Sequence, residues 1–266
     1  MPAIVHHFPA QAPTRATPLL FVHGAYTHAL GWQQHFIPHF QQLGFDCHAL
    51  DFSGHGASPG RDHLDDFGLD DYVADLAAAV ADLPRPPVLI AHSMGCTVAQ
   101  RYLETGQAAG LALLAPVPPT GTGGSAGRLA LEEPDFFAEL PKVTAGTPDE
   151  HTLDVMARVY FGPGTPRSTV ADCLPMIQPE SAQAVAELAT LALRRAGHKP
   201  RLPVLVLGGR EDKVFPPSML FFTTLPWNAR QVVIDGAGHM LMLEPTWPQT
   251  TQALAEWLDS LPGQGT

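Results

Sequence analysis

The run Val88-Leu-Ile-Ala-His-Ser93-Met-Gly-Cys96 decides how this sequence folds. Its first half is apolar and reads as a buried strand, and Gly95 to Gly106 then takes up helical spacing. Between them Ser93 sits in a small-x-Ser-x-small turn, flanked by Ala91 and Gly95. Such a turn forces the serine backbone into a strained conformation and brings neighbouring chain too close for large side chains. It lifts the Ser93 Oγ out of the sheet and sets the Met94 N–H at a helix N-terminus, facing a position where negative charge could develop.

Working outward, short apolar runs bounded by Gly, Pro or Asp recur at 18–22, 46–50, 87–91, 111–115, 203–208 and 231–234, and each reads as a buried strand. Segments with helical spacing lie between them at 32–43, 70–83 and 95–106. Residues 247–261 close the chain as an amphipathic helix carrying Leu254, Trp257, Leu258 and Leu261 on one face. Strands that alternate with helices predict an α/β fold with a mainly parallel central sheet flanked by helices.

The alternation stops between about Val117 and Pro200, where helical stretches such as 153–160 and 181–194 occur without a strand. The expected division is a core of residues 1–117 and 200–266 and an inserted helical cap, or lid, of residues 118–199. The start of that cap, Pro116 to Gly127, is rich in Pro, Gly and small polar residues and reads as a mobile connection or hinge.

The length of 266 residues suits one large domain with such an insertion. A formal charge of −11 argues against nucleic acid or an anionic membrane surface as partner, since both require clustered Lys and Arg. No run is long and apolar enough to span a bilayer, and the first residues lack the pattern of a signal peptide, so a cytoplasmic monomer or homodimer is expected. Cys47, Cys96 and Cys173 are widely spaced and without a CxxC pair, so free thiols are expected; Cys96 reads as a buried helix residue rather than a second nucleophile.

A serine hydroxyl is a weak nucleophile near neutral pH and needs an imidazole to take its proton and a carboxylate to hold that imidazole in one tautomer. Two late segments offer these groups. The strand 204–207 runs into Gly-Gly-Arg-Glu-Asp212, and the strand 232–234 runs into Asp-Gly-Ala-Gly-His239. The order Ser, Asp, His is the one expected when all three sit at one edge of a parallel sheet. A second backbone donor beside Met94 is expected from Ala25, because Gly24 lets the chain turn tightly after the strand ending in His23. None of these roles requires a metal or an organic cofactor.

The stretches HGAY at 23–26, DFSGHGAS at 51–58, AHSMG at 91–95, GGREDKVFP at 208–216 and GAGHMLMLEP at 236–245 together resemble the α/β-hydrolase superfamily, in particular its cap-bearing esterases and lysophospholipase-like hydrolases. The resemblance implies Ser93, Asp212 and His239 as a catalytic triad and the N–H groups of Ala25 and Met94 as the oxyanion hole. Glu211 competes with Asp212 for the acid, and the resemblance favours Asp212. It further implies a small ester or lipid-like substrate; an amidase, lactonase, C–C hydrolase or acyltransferase could use the same groups, and so could a non-catalytic ligand-binding protein keep the same fold. Ala91 departs from the glycine usual at the first small position, and Cys96 stands where a second glycine is common.

Tyr26, Phe161, Phe215, Met240 and Leu241 are expected to converge above Ser93 as an acyl or alkyl pocket. Thirteen histidines raise the question of a metal, and His35 with His39 has the i, i+4 spacing that can hold zinc. Without a third ligand nearby, that pair reads as a solvated helix face. His6 and His7 read as surface residues of a short first strand, His23 as a brace for its loop, and His92 as structural. Asp51, Gly54, His55 and Gly56 read as a shaped turn near the sheet edge.

Overall fold

The computed structural model describes residues 2–191 and 199–262. Seven strands form one sheet: β1 (Ile4–Phe8), β2 (Leu19–Val22), β3 (Cys47–Asp51), β4 (Val88–His92), β5 (Gly110–Leu114), β6 (Val204–Gly209) and β7 (Arg230–Ile234), in the order β1-β3-β2-β4-β5-β6-β7. Only β1 is antiparallel; its Val5 pairs with Leu50. From β3 to β7 the strands run parallel, with Phe21 beside Ile90, Ile90 beside Ala112, and Leu113 beside Val206.

Each inner strand is apolar on both faces because helices cover both. Leu19, Phe21, Ile90, Ala112 and Leu205 face one layer, where α1 (Phe36–Gln42) contributes Phe36 and Phe40, and α10 (Trp247–Asp259) contributes Leu254, Trp257 and Leu258. The alternate residues Leu20, Val22, Leu89, Leu111 and Val206 face the other layer. There α2 (Leu69–Ala81) brings Tyr72 and Leu76, α3 (Met94–Tyr102) brings Val98 and Ala99, and α9 (Leu220–Trp227) brings Leu220.

The helix expected at 32–43 is broken. A short 3-10 turn spans Ala29–Trp32, and α1 begins only at Phe36. Pro38 fits within the first turn of α1, where its missing N–H costs nothing, and Gly31 weakens the segment before it.

Residues 115–203 leave the sheet and return to it. The described part of this insertion is helical: α4 (Gly123–Glu132), α5 (Phe136–Thr144), α6 (Glu150–Tyr160), α7 (Arg167–Cys173) and α8 (Ala182–Ala189). Its buried residues Leu129, Phe136, Val155, Met156 and Val159 belong to the same apolar cluster as α1 and α10. The glycine-rich stretch expected to be a loose connection is half helix, because α4 starts at Gly123 and buries Ser125 and Leu129. Packing of those side chains overrides the weak helix propensity of Gly123, Gly124 and Gly127. Asp149 caps α6 by accepting from Thr152 N at 2.8 Å. The helix expected over 181–194 is found as α8, and residues 192–194 lie outside the described residues. Among the described residues no helix is long and apolar enough to cross a membrane.

Candidate active site

Every chemically interesting loop leaves the C-terminal end of a parallel strand, so the loops meet at one edge of the sheet. Ser93 follows β4 directly and has φ 50° and ψ −117°. A non-glycine residue held there costs of the order of 1–3 kcal/mol, which the surrounding packing must offset. The turn is shaped by close approach: a Cβ on Gly95 would run into the carbonyl oxygens of His23 and Val22. Gly24 is required for a similar reason and not for an unusual φ, since its Cβ would lie 2.8 Å from His92 Nδ1 and 3.0 Å from Ser93 Cβ.

The structure brings the three expected side chains into one hydrogen-bonded line. His239 Nε2 lies 3.2 Å from Ser93 Oγ, and His239 Nδ1 lies 2.9 Å from Asp212 Oδ2. Asp212 is buried, and its Oδ1 accepts from the backbone N–H of Val214 at 2.7 Å and Phe215 at 2.8 Å. With the carboxylate accepting at Nδ1, the imidazole carries its proton there and leaves Nε2 as an acceptor for the serine hydroxyl. Glu211 is exposed, and of the two adjacent acids only Asp212 meets His239.

The insertion holds this line from above. The carbonyl of Tyr160 at the end of α6 accepts from His239 N at 2.8 Å and Met240 N at 3.2 Å. Glu244, whose carboxyl burial pushes above its usual range, accepts from Gly162 N at 2.8 Å and Gly238 N at 2.9 Å. One buried side chain thus ties the histidine loop to the insertion. The HMLMLEP stretch holds this residue, but its role depends on a partner 82 positions away and has no local signature.

Ser93 and His239 open onto a cavity of about 210 Å³. Ala25, Tyr26, Met94, Phe161, Phe215 and Met240 line it as expected. Leu241 does not: it is fully buried in the apolar cluster beneath, turned away by the helical turn that follows His239. Most of the remaining wall comes from the insertion, including Leu129, Phe136, Leu140, Met156 and Leu188, and among the described residues His239 and His92 are its ionisable nitrogen bases. Among the described residues no Lys, Arg, Asp or Glu lines it. The Met94 N–H is in the first turn of α3, where no intrahelical acceptor exists for it, and Ala25 lines the same cavity.

The supporting histidines are neutral braces. His23 is held down to about 3 mainly by burial, and His92 well below its ordinary value for the same reason. His92 Nε2 donates to the His239 carbonyl at 3.0 Å. Cys96 is buried, donates to the carbonyls of Ala91 (3.2 Å) and Leu114 (3.4 Å), and has its thiol pushed far up by burial, so it is no nucleophile.

One expectation about histidines needs correction. His35 and His39 do not form a fully solvated face: His35 stacks on Trp247 with ring centres 4.8 Å apart, and His39 meets the same ring edge-on at 6.0 Å. His6 and His7 lie at the surface of β1, half-buried and exposed respectively, and His6 Nε2 lies 2.8 Å from Asp51 Oδ2. Asp51 also accepts from Ala29 N and Ala57 N, so it pins the 51–58 turn. The one trio of metal-ligating side chains among the described residues is His7, Asp46 and His48, at the opposite end of the strands from Ser93. The His7 and His48 rings stack within 9° of parallel, so their lone pairs run side by side and do not converge on one ion.

The sequence matches the family model for the alpha/beta hydrolase fold over residues 17–246. No curated protein matches it. Among solved structures, similar ones include an esterase from Exiguobacterium antarcticum, with 17% identity, 97% of this chain and 95% of that chain covered, and a TM-score of 0.74. A monoacylglycerol lipase from Paleococcus ferrophilus has 20% identity, coverage of 98% and 99%, and a TM-score of 0.72. A bromoperoxidase from Bacillus anthracis has 18% identity, coverage of 97% and 96%, and a TM-score of 0.68. At these identities the likeness speaks for the fold alone. With the family model spanning the sheet on both sides of the insertion, this chain belongs to the α/β-hydrolase family.

Proposed function

We propose that the chain is a serine hydrolase that cleaves carboxylic esters of short or medium acyl chains, monoacylglycerol-like or lysophospholipid-like esters among them, through an acyl-enzyme on Ser93. The observation that carries this reading is the double contact of His239, to Ser93 Oγ with one nitrogen and to Asp212 with the other, at the floor of an apolar cavity. His239 Nε2 takes the hydroxyl proton as Ser93 Oγ attacks the ester carbonyl. The N–H groups of Ala25 and Met94 stabilise the oxyanion, and His239 returns the proton to the leaving alcohol. Water, deprotonated by the same nitrogen, then releases the acid. Residues 118–199 act as a lid whose apolar side chains bind the acyl group. The wall is apolar around Ser93 and carries no charged side chain among the described residues, which favours an uncharged acyl group over one carrying a carboxylate beside the scissile bond.

The test is hydrolysis of p-nitrophenyl esters of graded acyl length alongside labelling by a fluorophosphonate. Wild type should turn over and label; Ser93→Ala should do neither, with a loss on the order of 10⁴-fold or more in kcat. Labelling that survives Ser93→Ala, or a folded wild type inert to every ester, would overturn the reading.

A further inference from the structure

The N–H of Ala25 belongs to the peptide whose carbonyl is that of Gly24. In a trans peptide the two point in opposite directions, so fixing the carbonyl aims the N–H. The Gly24 carbonyl accepts from His23 Nδ1 at 2.8 Å and from Thr27 Oγ1 at 3.0 Å. His23 can donate there because its Nε2 accepts from Phe52 N at 3.1 Å, which selects the neutral Nδ1–H tautomer. The core thus clamps one side of Ala25.

The other side is clamped from the insertion. The next peptide N–H, that of Tyr26, donates to Glu180 Oε2 at 3.2 Å. Tyr26 has φ 63°, a left-handed conformation that a non-glycine residue keeps only when held. The carbonyl of Tyr26 accepts from Gln178 N at 2.8 Å, and the carbonyl of Thr27 accepts from Gln178 Nε2 at 2.8 Å.

Glu180 is a fully buried carboxylate, and three further donors meet it: His55 Nε2 at 3.1 Å, Tyr72 OH at 2.8 Å and Ser181 N at 2.8 Å. His55 Nδ1 faces the Ser53 carbonyl at 3.1 Å, so both ring nitrogens face oxygens. A charge buried at the seam between insertion and core is costly unless every partner is in place. Simple docking would be served by an apolar residue, whereas this one reaches the loop that carries Ala25.

We propose that Glu180 is a positioning residue for the oxyanion site: by holding the Tyr26 N–H it aims the Ala25 N–H beside that of Met94, so this site is complete only when residues 178–181 of the insertion are seated. The proposal rests on the serine-hydrolase reading above.

Glu180→Gln tests it. The glutamine oxygen can accept from Tyr72 OH and Ser181 N while its amide faces His55 Nε2, which leaves the Tyr26 N–H without an acceptor. The expected result is a fall of about 10-fold or more in kcat for p-nitrophenyl butyrate, since small misplacements of reacting groups carry penalties of that size. KM should change much less, and the rate of Ser93 phosphonylation should fall with kcat. Glu187→Gln is the control. That α8 residue accepts from Leu69 N at 3.1 Å on the same seam but does not touch the 24–27 loop, and it should leave kcat near wild type. An unchanged kcat in Glu180→Gln, or an equal loss in Glu187→Gln, overturns the proposal. If Glu180→Gln does not fold, Gln178→Ala decides: a kcat loss at constant KM supports it, and an unchanged kcat overturns it. A wild type that neither labels nor turns over would instead overturn the hydrolase reading itself.

Discussion

Asp212 holds His239 with one oxygen only. Its Oδ2 meets Nδ1 at 2.9 Å, while Oδ1 stays on the N–H groups of Val214 and Phe215. Those backbone donors therefore fix which way an amide would sit in its place. In Asp212→Asn the oxygen must remain on Val214 and Phe215, and the NH2 must face His239. The imidazole would then be driven to the Nε2–H tautomer, with a proton where the serine needs an acceptor. On the proposed mechanism kcat falls on the order of 10⁴-fold with the fold intact. Steady-state ester hydrolysis beside a thermal melt reads both, and a loss under tenfold in a well-folded variant would contradict the role given to Asp212.

Leu140 of α5 faces the cavity, and a larger side chain there takes space from the acyl group without touching Ser93 or His239. Leu140→Trp should spare p-nitrophenyl acetate and progressively lose kcat/KM as the acyl chain lengthens. Each methylene that can no longer be buried forfeits about 0.8 kcal/mol, or about fourfold. A profile that drops equally for all chain lengths would mean that the acyl group does not lie along the insertion.

The strands and their parallel order could be read from the sequence because every inner strand is a short apolar run bounded by Gly, Pro or Asp, the pattern imposed by helices on both faces. Ser93, Asp212 and His239 could be read for a related reason: each lies a few residues past such a run, so placing the strand places the residue. Glu180 and Glu244 could not. Their partners are 154 and 82 positions away, and nothing in the local spacing announces a carboxylate that will be buried between insertion and core. Leu241 failed in the opposite sense, since one residue of helical rotation separates the cavity from the core beneath it. In the Pro116–Gly127 stretch the helix that starts at Gly123 is not legible, because composition reports the cost of ordering a chain, not the burial of Ser125 and Leu129 that offsets it.

The buried braces make stability depend on acid. An unfolded histidine titrates near about 6.5, whereas His23 in the fold is held down to about 3 by burial, and His92 is also held well below its ordinary value. Between those limits the unfolded chain binds protons that the folded chain refuses, so stability is complete above the unfolded value and falls as pH drops through it. Each such group contributes a slope approaching about 1.4 kcal/mol per pH unit. Glu244, raised by burial, works in the opposite sense, favouring the fold at lower pH. Comparison of wild type with His23→Asn cancels that contribution, because Glu244 is unchanged in both. Asn can keep the donor toward the Gly24 carbonyl but does not titrate, so the variant should be less stable at neutral pH and lose less on acidification. Urea midpoints between about pH 5 and 7.5, the window in which free histidine titrates and free carboxylates stay charged, should show the two curves converging as pH falls. Parallel curves would show that His23 takes up its proton in the folded state as readily as in the unfolded one, and that the neutral tautomer assigned to the loop before Ala25 is wrong.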